Sequence, residues 1–287
     1  MIHHTTELDR VLTGADMQEP GLIAAGVDPA LVPTLQRIGA GYRRRLSVAV
    51  LGRPGVGRDT MARAVRDRLG ITALTPGEDA ESIAAADLVI YVIAGGLRAA
   101  DRAAVAALPT DQMIVALGKA DSYPDADASE AAAAEMAAEL ERPVIGVSAL
   151  LACADVTSQE WAFLGSLAAA GEQMPSMAGQ FLVGQVGGVE RRTRITLLRR
   201  IDRFGIDLAL GVLADGGCAV ADFNALLHRV SGIDAIRRAI GERIGGVRHR
   251  RENDARDALE LAAAAGVGRD CAERLLRVGQ RDIGAAS

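Results

Sequence analysis

The stretch "LSVAVLGRPGVGRDT", residues 46–60, decides the fold of this chain. It begins with a short apolar run that ends in glycine, which is typical of a strand buried on both faces of a parallel sheet. Gly52 and Gly57 then follow at the G-x-x-x-x-G spacing of a phosphate-binding loop, and the helical pattern "DTMARAVRDRL" comes directly after them. The sequence therefore predicts a strand, a glycine loop and a helix, with backbone N–H groups aimed at an anion.

The alternation of strand and helix continues along the chain. Three more apolar runs, "ADLVIYVIAGG", "QMIVALGKAD" and "RPVIGVSAL", are separated by the helical patterns "AADRAAVAAL" and "SEAAAAEMAAEL". This pattern predicts an α/β fold, in which four parallel strands form a sheet that helices cover on both faces. Ligands of such sheets lie at the carboxyl ends of the strands, where the polar segments of this chain fall.

The patterns divide the chain into three parts. Residues 1–45 are predicted to form an N-terminal helical segment that prolines break into short pieces. Residues 46–152 are predicted to form the α/β domain, and residues 153–287 an all-helical C-terminal portion, because the strand signal disappears there. Thr157 and Glu160 have the spacing of a capping box, which predicts the start of a helix.

The second half of the glycine loop departs from the phosphate-binding pattern. Gly55 adds backbone freedom, but Arg58 replaces the lysine of the pattern, and Asp59, followed by Thr60, replaces the hydroxyl that ligates magnesium. A carboxylate at position 59 would repel phosphate, although an acidic residue also suits the electropositive first turn of a helix. Two alternatives remain open: a loop that retains nucleotide, and a loop that binds it weakly or serves another purpose.

Two segments that follow later strands fit the recognition of guanine. Lys119 and Asp121 match the N/T-K-x-D pattern, in which the carboxylate accepts hydrogen bonds from the base and the lysine stem covers the ring. Gly118 replaces the usual Asn or Thr. One strand later, Ser148 and Ala149 begin an S-A-L segment whose backbone amide approaches the guanine oxygen. The carboxyl ends of parallel strands share one edge, so we expect these residues to lie close to the glycine loop.

In the order of these segments the chain resembles translation-factor-like small GTPase domains and, more narrowly, the actinobacterial dynamin-like GTPases, including the isoniazid-inducible type. The loop of that family reads G-E-F-K-Q-G-K-S-S, which aligns on residues 52–60. The segments "LLRRIDRFGIDLAL" and "SGIDAIRRAIGERIGG" are similar to the helices that follow the family's GTPase domain. The resemblance covers residues 30–265. It implies a Ras-like P-loop domain with GTP or GDP as ligand, and a paralogous GTPase as partner.

The chain departs from the family at the groups that perform hydrolysis. The D-x-x-G motif aligns on residues 74–77, where Leu74 replaces the magnesium-directed aspartate, and the short preceding connection leaves a shortened switch region. Because phosphoryl transfer depends on these groups, the resemblance implies a pseudo-GTPase that binds GTP or GDP weakly, without magnesium or a catalytic residue. Its role would be that of a structural or regulatory partner of an intact GTPase. The alternative is a genuine GTP-binding protein, slow or activated by a partner.

The composition of the chain argues against nucleic-acid binding, a membrane span and a metal site. The net charge of −5 provides no basic field for nucleic acid, and the basic clusters lack the aromatic residues that stack on bases. No apolar run reaches the roughly 18 residues that suggest a membrane span, so a cytoplasmic protein is expected, with peripheral membrane association left open. The three cysteines and four histidines have no metal-binding spacing, and no metal site is expected.

Overall fold

The computed structural model describes residues 12, 18–77, 80–182 and 188–281. The strands in these ranges are β1 (Ser47–Gly52), β2 (Thr72–Leu74), β3 (Leu88–Ile93), β4 (Met113–Gly118) and β5 (Val144–Val147). The helices are α1 (Glu19–Ala24), α2 (Val32–Arg43), α3 (Arg58–Ala64), α4 (Ala80–Ala84), α5 (Ala99–Ala106), α6 (Ala126–Leu140), α7 (Ala149–Ala152), α8 (Ser158–Ala169), α9 (Gly188–Ala214), α10 (Val220–Val230), α11 (Ile233–Ala264) and α12 (Arg269–Arg281). Short 3₁₀ segments span Pro29–Leu31, Ala120–Ser122 and Ala178–Leu182, and a π-helical turn, Val65–Leu69, continues α3.

The strands form one parallel sheet in the order β2-β1-β3-β4-β5. The predicted α/β class with a parallel sheet is therefore confirmed, and the sheet has one strand more than the sequence indicated. The additional strand, β2, contains three residues, of which only Ala73 is buried. Its apolar run is too short to stand out as a strand in the sequence.

The order of the strands places helices on both faces of the sheet. The chain leaves β1 toward β2 on one side, whereas β3, β4 and β5 follow one another on the other side. Since crossovers between parallel strands are right-handed, α3 covers one face and α5 and α6 cover the opposite face. On the latter face, Val105 and Met136 pack against Tyr91 and Val115. The reversal between β1 and β3 opens a crevice at their carboxyl ends, where ligands of such folds bind.

The described residues after β5 are helical or lie in connections, as predicted. Leu164 of α8, Leu197 and Ile201 of α9 and Phe223 of α10 belong to one buried cluster, which also includes Leu151 of α7. This cluster joins the first helices of the C-terminal portion to the end of the sheet domain.

The capping box at the start of α8 is present as predicted. The N–H and hydroxyl groups of Thr157 donate hydrogen bonds to the Glu160 carboxylate at 2.8 and 2.9 Å, and the Glu160 N–H donates to the Thr157 hydroxyl at 3.2 Å. Each residue thus satisfies a backbone donor that the helix itself leaves unpaired.

The chain divides into two compact units, residues 46–243 and the described residues of 1–45 together with those of 244–287. The helices between residue 153 and residue 243 belong to the same compact unit as the sheet. The shared cluster around Leu151 and Leu164 is the physical reason, because a boundary near residue 152 would cut through a buried core. The second unit has its own core, which includes Leu22, Leu35 and Leu259. Of the predicted N-terminal helical segment, residues 1–11 and 13–17 lie outside the described residues.

Candidate functional site

A cavity of about 280 Å³ lies at the carboxyl edge of the sheet, where the loops after β1, β4 and β5 meet. Five of the ten residues predicted from the sequence line it, namely Gly57, Thr60, Lys119, Asp121 and Ala149. The remaining lining residues are Val56, Met61, Val92, Gly118, Ser122, Leu150 and Asp202. The three sequence segments, which are far apart along the chain, therefore meet around one cavity.

The other five predicted residues do not line this cavity. Gly52 and Gly55 lie in the first part of the glycine loop, and Arg58 and Asp59 begin α3. Ser148 is buried beside the cavity and lines a neighbouring one of about 600 Å³, which also contacts Asp121.

The glycine loop lies directly against the end of β3. Gly52, Gly55 and Gly57 have positive φ angles of 142°, 84° and 97°, which residues with a side chain rarely adopt. At Gly52 an added Cβ would lie 2.4 Å from the Val92 carbonyl oxygen, so this close approach requires glycine. The loop thus joins β1 to α3 in the conformation that its glycines predict.

The side chains of Arg58 and Asp59 do not point into the cavity, as the lysine and the hydroxyl of a phosphate-binding loop would. The Arg58 guanidinium turns back and donates a hydrogen bond from Nη1 to the Gly52 carbonyl oxygen at 3.1 Å. Asp59 is exposed to solvent in the first turn of α3, where its charge complements the helix dipole. Asp59 therefore does not line the cavity, and the repulsion of phosphate that the sequence predicts for it would not act from the cavity wall.

An ion pair that was not predicted holds the loop in place. Arg53 donates through Nε to both oxygens of Asp101, each at 3.0 Å, and Asp101 is fully buried. The same carboxylate accepts hydrogen bonds from the Tyr91 hydroxyl at 3.1 Å and from the Arg98 N–H at 3.0 Å. Its charge is therefore compensated on several sides, as a buried charge requires. Arg53 is a loop residue, so the pair ties the glycine loop to the start of α5.

The end of β4 reaches the loop because residue 118 has no side chain. An added Cβ at Gly118 would lie 2.8 Å from Val92 Cγ1 and 3.3 Å from the Val56 carbonyl oxygen. Lys119 follows with a left-handed backbone, φ 58°, and the chain continues into the 3₁₀ turn that carries Asp121. Glycine thus replaces the expected Asn or Thr in a space that a larger residue could enter only if its neighbours moved.

Asp121 lies in an environment that disfavours its ionised form. Burial raises the pKa of its carboxyl group, and the nearby charge of Asp202 raises it further. Hydrogen bonds from Ser148 and from the Asp121 backbone N–H, together with the charge of Lys119, act in the opposite direction. The Ser148 hydroxyl also accepts a hydrogen bond from the Leu151 N–H at 3.3 Å, which caps α7.

Asp202 was not predicted as a site residue. It interrupts α9 with a backbone conformation of φ 54° and ψ −174°, which divides the helix into two parts. The side chain remains beside its own backbone, where Oδ1 accepts a hydrogen bond from the Arg203 N–H at 2.6 Å. The interruption brings a carboxylate from the helical portion to the cavity that the sheet domain forms. The sequence "RRIDRFG" contains no proline or other signal that would predict a break at this residue.

The residues around the second half of the glycine loop do not fit a magnesium site of the P-loop type. Asp59 is exposed, and position 74, where the family has an aspartate, is the leucine that ends β2. Among the described residues, no three carboxylate, histidine or cysteine side chains come together in a way that would hold a metal ion. The opposite end of the cavity is lined by the Asp121 carboxylate, by Lys119 and by Ala149 at the start of α7.

The helices in the described ranges include none with the length and apolarity needed to cross a membrane. A comparison of the sequence with protein-family models found no match. A comparison with curated proteins also found none.

Proposed function

We propose that this chain is a GTPase-like protein that binds a guanine nucleotide weakly, does not hydrolyse it, and acts as a structural or regulatory partner of an intact GTPase. The observation that carries this proposal is the meeting of the glycine loop, the K-x-D segment and the S-A-L segment around one cavity. Gly57 and Thr60 would face the phosphate nearest to the ribose. Asp121 and Ala149 would face the base.

The topology supports a Ras-like P-loop domain. The glycine loop follows the first strand of a parallel sheet and precedes a helix, and the order of the strands opens the crevice beside that loop. The connection between α3 and β3 contains only β2 and the short helix α4 among its described residues, which supports a shortened switch region.

The phosphate end supports binding without hydrolysis. Cleavage of GTP by water to GDP and inorganic phosphate requires charges that neutralise the transferred group and orient the water. The only cation of the loop's second half, Arg58, is bonded to the Gly52 carbonyl oxygen, and Arg53 is held by Asp101. Neither guanidinium lines the cavity.

Thermal unfolding in the presence of nucleotides tests the binding part of the proposal. We expect GDP and GTP, but not ATP, to raise the melting temperature, with no dependence on magnesium. A nucleotide at about a hundred times its Kd adds roughly 2.7 kcal/mol of stability, which corresponds to a shift of several degrees. The variant Asp121→Ala should lose the shift, whereas Asp127→Ala, an exposed carboxylate on α6, should keep it. Equal shifts with ATP and GTP would argue against a guanine site.

The proposed partner is a paralogous GTPase of the dynamin-like type that the sequence resembles, in the cytoplasm. Co-purification of the tagged chain from its native cells, followed by mass spectrometry, would test this part. An intact GTPase should be enriched relative to a control bait, and a chain that elutes alone as a monomer would contradict the partnership.

A slow or partner-activated GTPase is the second candidate. Asp59 is directed to solvent and Thr60 lines the cavity, so the space near the phosphates contains no carboxylate from the loop. Release of inorganic phosphate from GTP distinguishes the two candidates. Release that Asp121→Ala abolishes would favour this second function, and its absence, with GTP bound, would favour the first.

A further inference from the structure

The interruption of α9 at Asp202 has a conformational cost. Backbone conformations with φ 54° and ψ −174° are strained for any residue other than glycine, by about 1–3 kcal/mol. The strained residue also brings a carboxylate to a cavity that already contains Asp121, so two like charges share a partly buried space. Both features oppose folding of the free protein, and both would be offset by a ligand that donates hydrogen bonds to the two carboxylates.

We propose that Asp202 is a specificity-determining residue of the nucleotide cavity, and that its carboxylate joins Asp121 in receiving the N–H groups of a guanine base. This inference rests on the proposed function and extends it from the sheet domain to α9. The geometry on which it stands is the shared cavity, whose lining contains both carboxylates together with Lys119 and Ala149.

The chemistry of guanine matches two acceptors. Its Watson–Crick edge carries one hydrogen on N1 and two on the exocyclic amine, which makes three donors. Asp121 accepts the N1 hydrogen and one amine hydrogen, which leaves the second amine hydrogen for Asp202. Adenine carries an acceptor at N1 and would place it against a carboxylate, and hypoxanthine lacks the exocyclic amine altogether.

A cation is a less suitable occupant of the same space. The Lys119 side chain also lines the cavity and would repel a metal ion or an ammonium group. The described residues supply no third carboxylate, histidine or cysteine that would complete a metal site with Asp121 and Asp202. A neutral base with several N–H groups satisfies both carboxylates without this repulsion.

The test compares GMP with IMP, which differ only in the exocyclic amine. Isothermal titration of the full chain gives the two Kd values and their ratio. The isosteric variant Asp202→Asn replaces one carboxylate oxygen by a donor, and asparagine tolerates a left-handed backbone. We expect the preference for GMP over IMP to fall about tenfold or more in this variant, since hydrogen bonds to charged groups contribute on that scale. Asp207→Asn, an exposed carboxylate on the same helix, is the matched control and should keep the wild-type ratio.

The outcomes separate this inference from the function on which it rests. Binding of GMP with an unchanged ratio in Asp202→Asn would overturn the role of Asp202 and leave the guanine site standing. Absence of GMP binding to the wild-type chain would overturn both. A second variant, Asp202→Gly, removes the carboxylate and the strain together, so it should fold at least as stably as the wild type while losing the same preference. A preference retained in this variant would also contradict the proposal.

Discussion

Asp121 links the acidity of the cavity to its affinity for a base. Only the ionised carboxylate can accept two N–H groups, and burial raises its pKa above the ordinary value of about 3.9. We therefore expect the affinity for GMP to be constant well above the raised pKa and to fall as the pH decreases through it. Titration calorimetry over a series of pH values from neutral toward acid would measure the profile.

Two variants shift that profile in opposite directions. Asp202→Asn removes a neighbouring negative charge, so the fall should move to lower pH, and Ser148→Ala removes a hydrogen bond to the carboxylate, so it should move to higher pH. Shifts of the same sign would contradict the assignment of the profile to Asp121.

The stability of the free protein depends on pH in the opposite direction to the affinity for GMP, because the folded state holds the Asp121 proton more tightly than the unfolded state. The contribution of this group to stability therefore decreases as the pH rises from about 3.9 through the raised pKa.

Gly52 is a second residue whose replacement has a defined cost. A Cβ there would lie 2.4 Å from the Val92 carbonyl oxygen, and the φ of 142° suits glycine alone. We expect Gly52→Ala to lower the free energy of unfolding by at least about 1–3 kcal/mol, measured by urea denaturation. Gly96→Ala is the control, because its added Cβ meets no atom within 4 Å and its φ is not positive, and it should be close to neutral. Equal losses in both variants would mean that the loop does not pack as described.

The sequence alone predicted which residues meet at the carboxyl edge of the sheet, because this follows from the topology of parallel strands. Gly57, Lys119 and Ala149 each follow a buried strand, and the ends of parallel strands meet at one edge. Asp202 could not be identified in this way, because its place depends on a break within an otherwise continuous helical pattern. The role of Arg53 could not be identified from the sequence either, because its partner Asp101 lies 48 residues further along the chain and no motif links the two.

At the scale of elements, the loop after β1 and the start of α5 are joined by the ion pair of Arg53 and Asp101. Removal of one partner from a buried ion pair leaves the other uncompensated and typically costs about 3–5 kcal/mol. We expect Asp101→Ala to lose stability toward the lower end of this range, because Arg53 is 20% exposed and can reach water. Chemical denaturation would measure the loss, with Glu135→Ala on the exposed surface of α6 as the control.

The same variant distinguishes a stabilising role from a role in the cavity. If the pair positions the loop, Asp101→Ala should weaken GMP binding at temperatures where the protein remains folded, although Asp101 does not line the cavity. Unchanged affinity would limit the pair to a role in stability.

Longer strands and helices were easier to predict from the sequence than short ones. Strands of four to six residues stood out as apolar runs, and α6 and α8 as long helical patterns. β2 did not stand out, because a strand of three residues is recognised by its partner β1 and not by its own pattern.

At the scale of the whole molecule, the two compact units have separate cores. Leu35 belongs to the core of α1, α2, α11 and α12, whereas Leu164 belongs to the core of α7, α8, α9 and α10. Truncation of either buried leucine to alanine should cost about 2–5 kcal/mol of local stability. We expect Leu35→Ala to accelerate hydrogen exchange in α2 and α12 while the strands keep their protection, and Leu164→Ala to do the reverse. Uniform acceleration in either variant would indicate one cooperative unit.

The division of the chain into these two units could not be predicted from the sequence, and the reason is physical. The pattern changes from strand to helix near residue 152, but a core is defined by which side chains share it. Leu151 packs with Phe223, and the helices therefore remain with the sheet up to residue 243.

The only tryptophan of the chain, Trp161, stacks on Phe223 with ring centroids 4.5 Å apart, and its indole N–H donates to the Cys218 carbonyl oxygen at 3.2 Å. It packs against the same cluster as Ile201, the residue that precedes Asp202. Tryptophan fluorescence of this protein is consequently a local optical signal from the helical core, and a spectral change on addition of nucleotide would register a response of this cluster without any introduced dye.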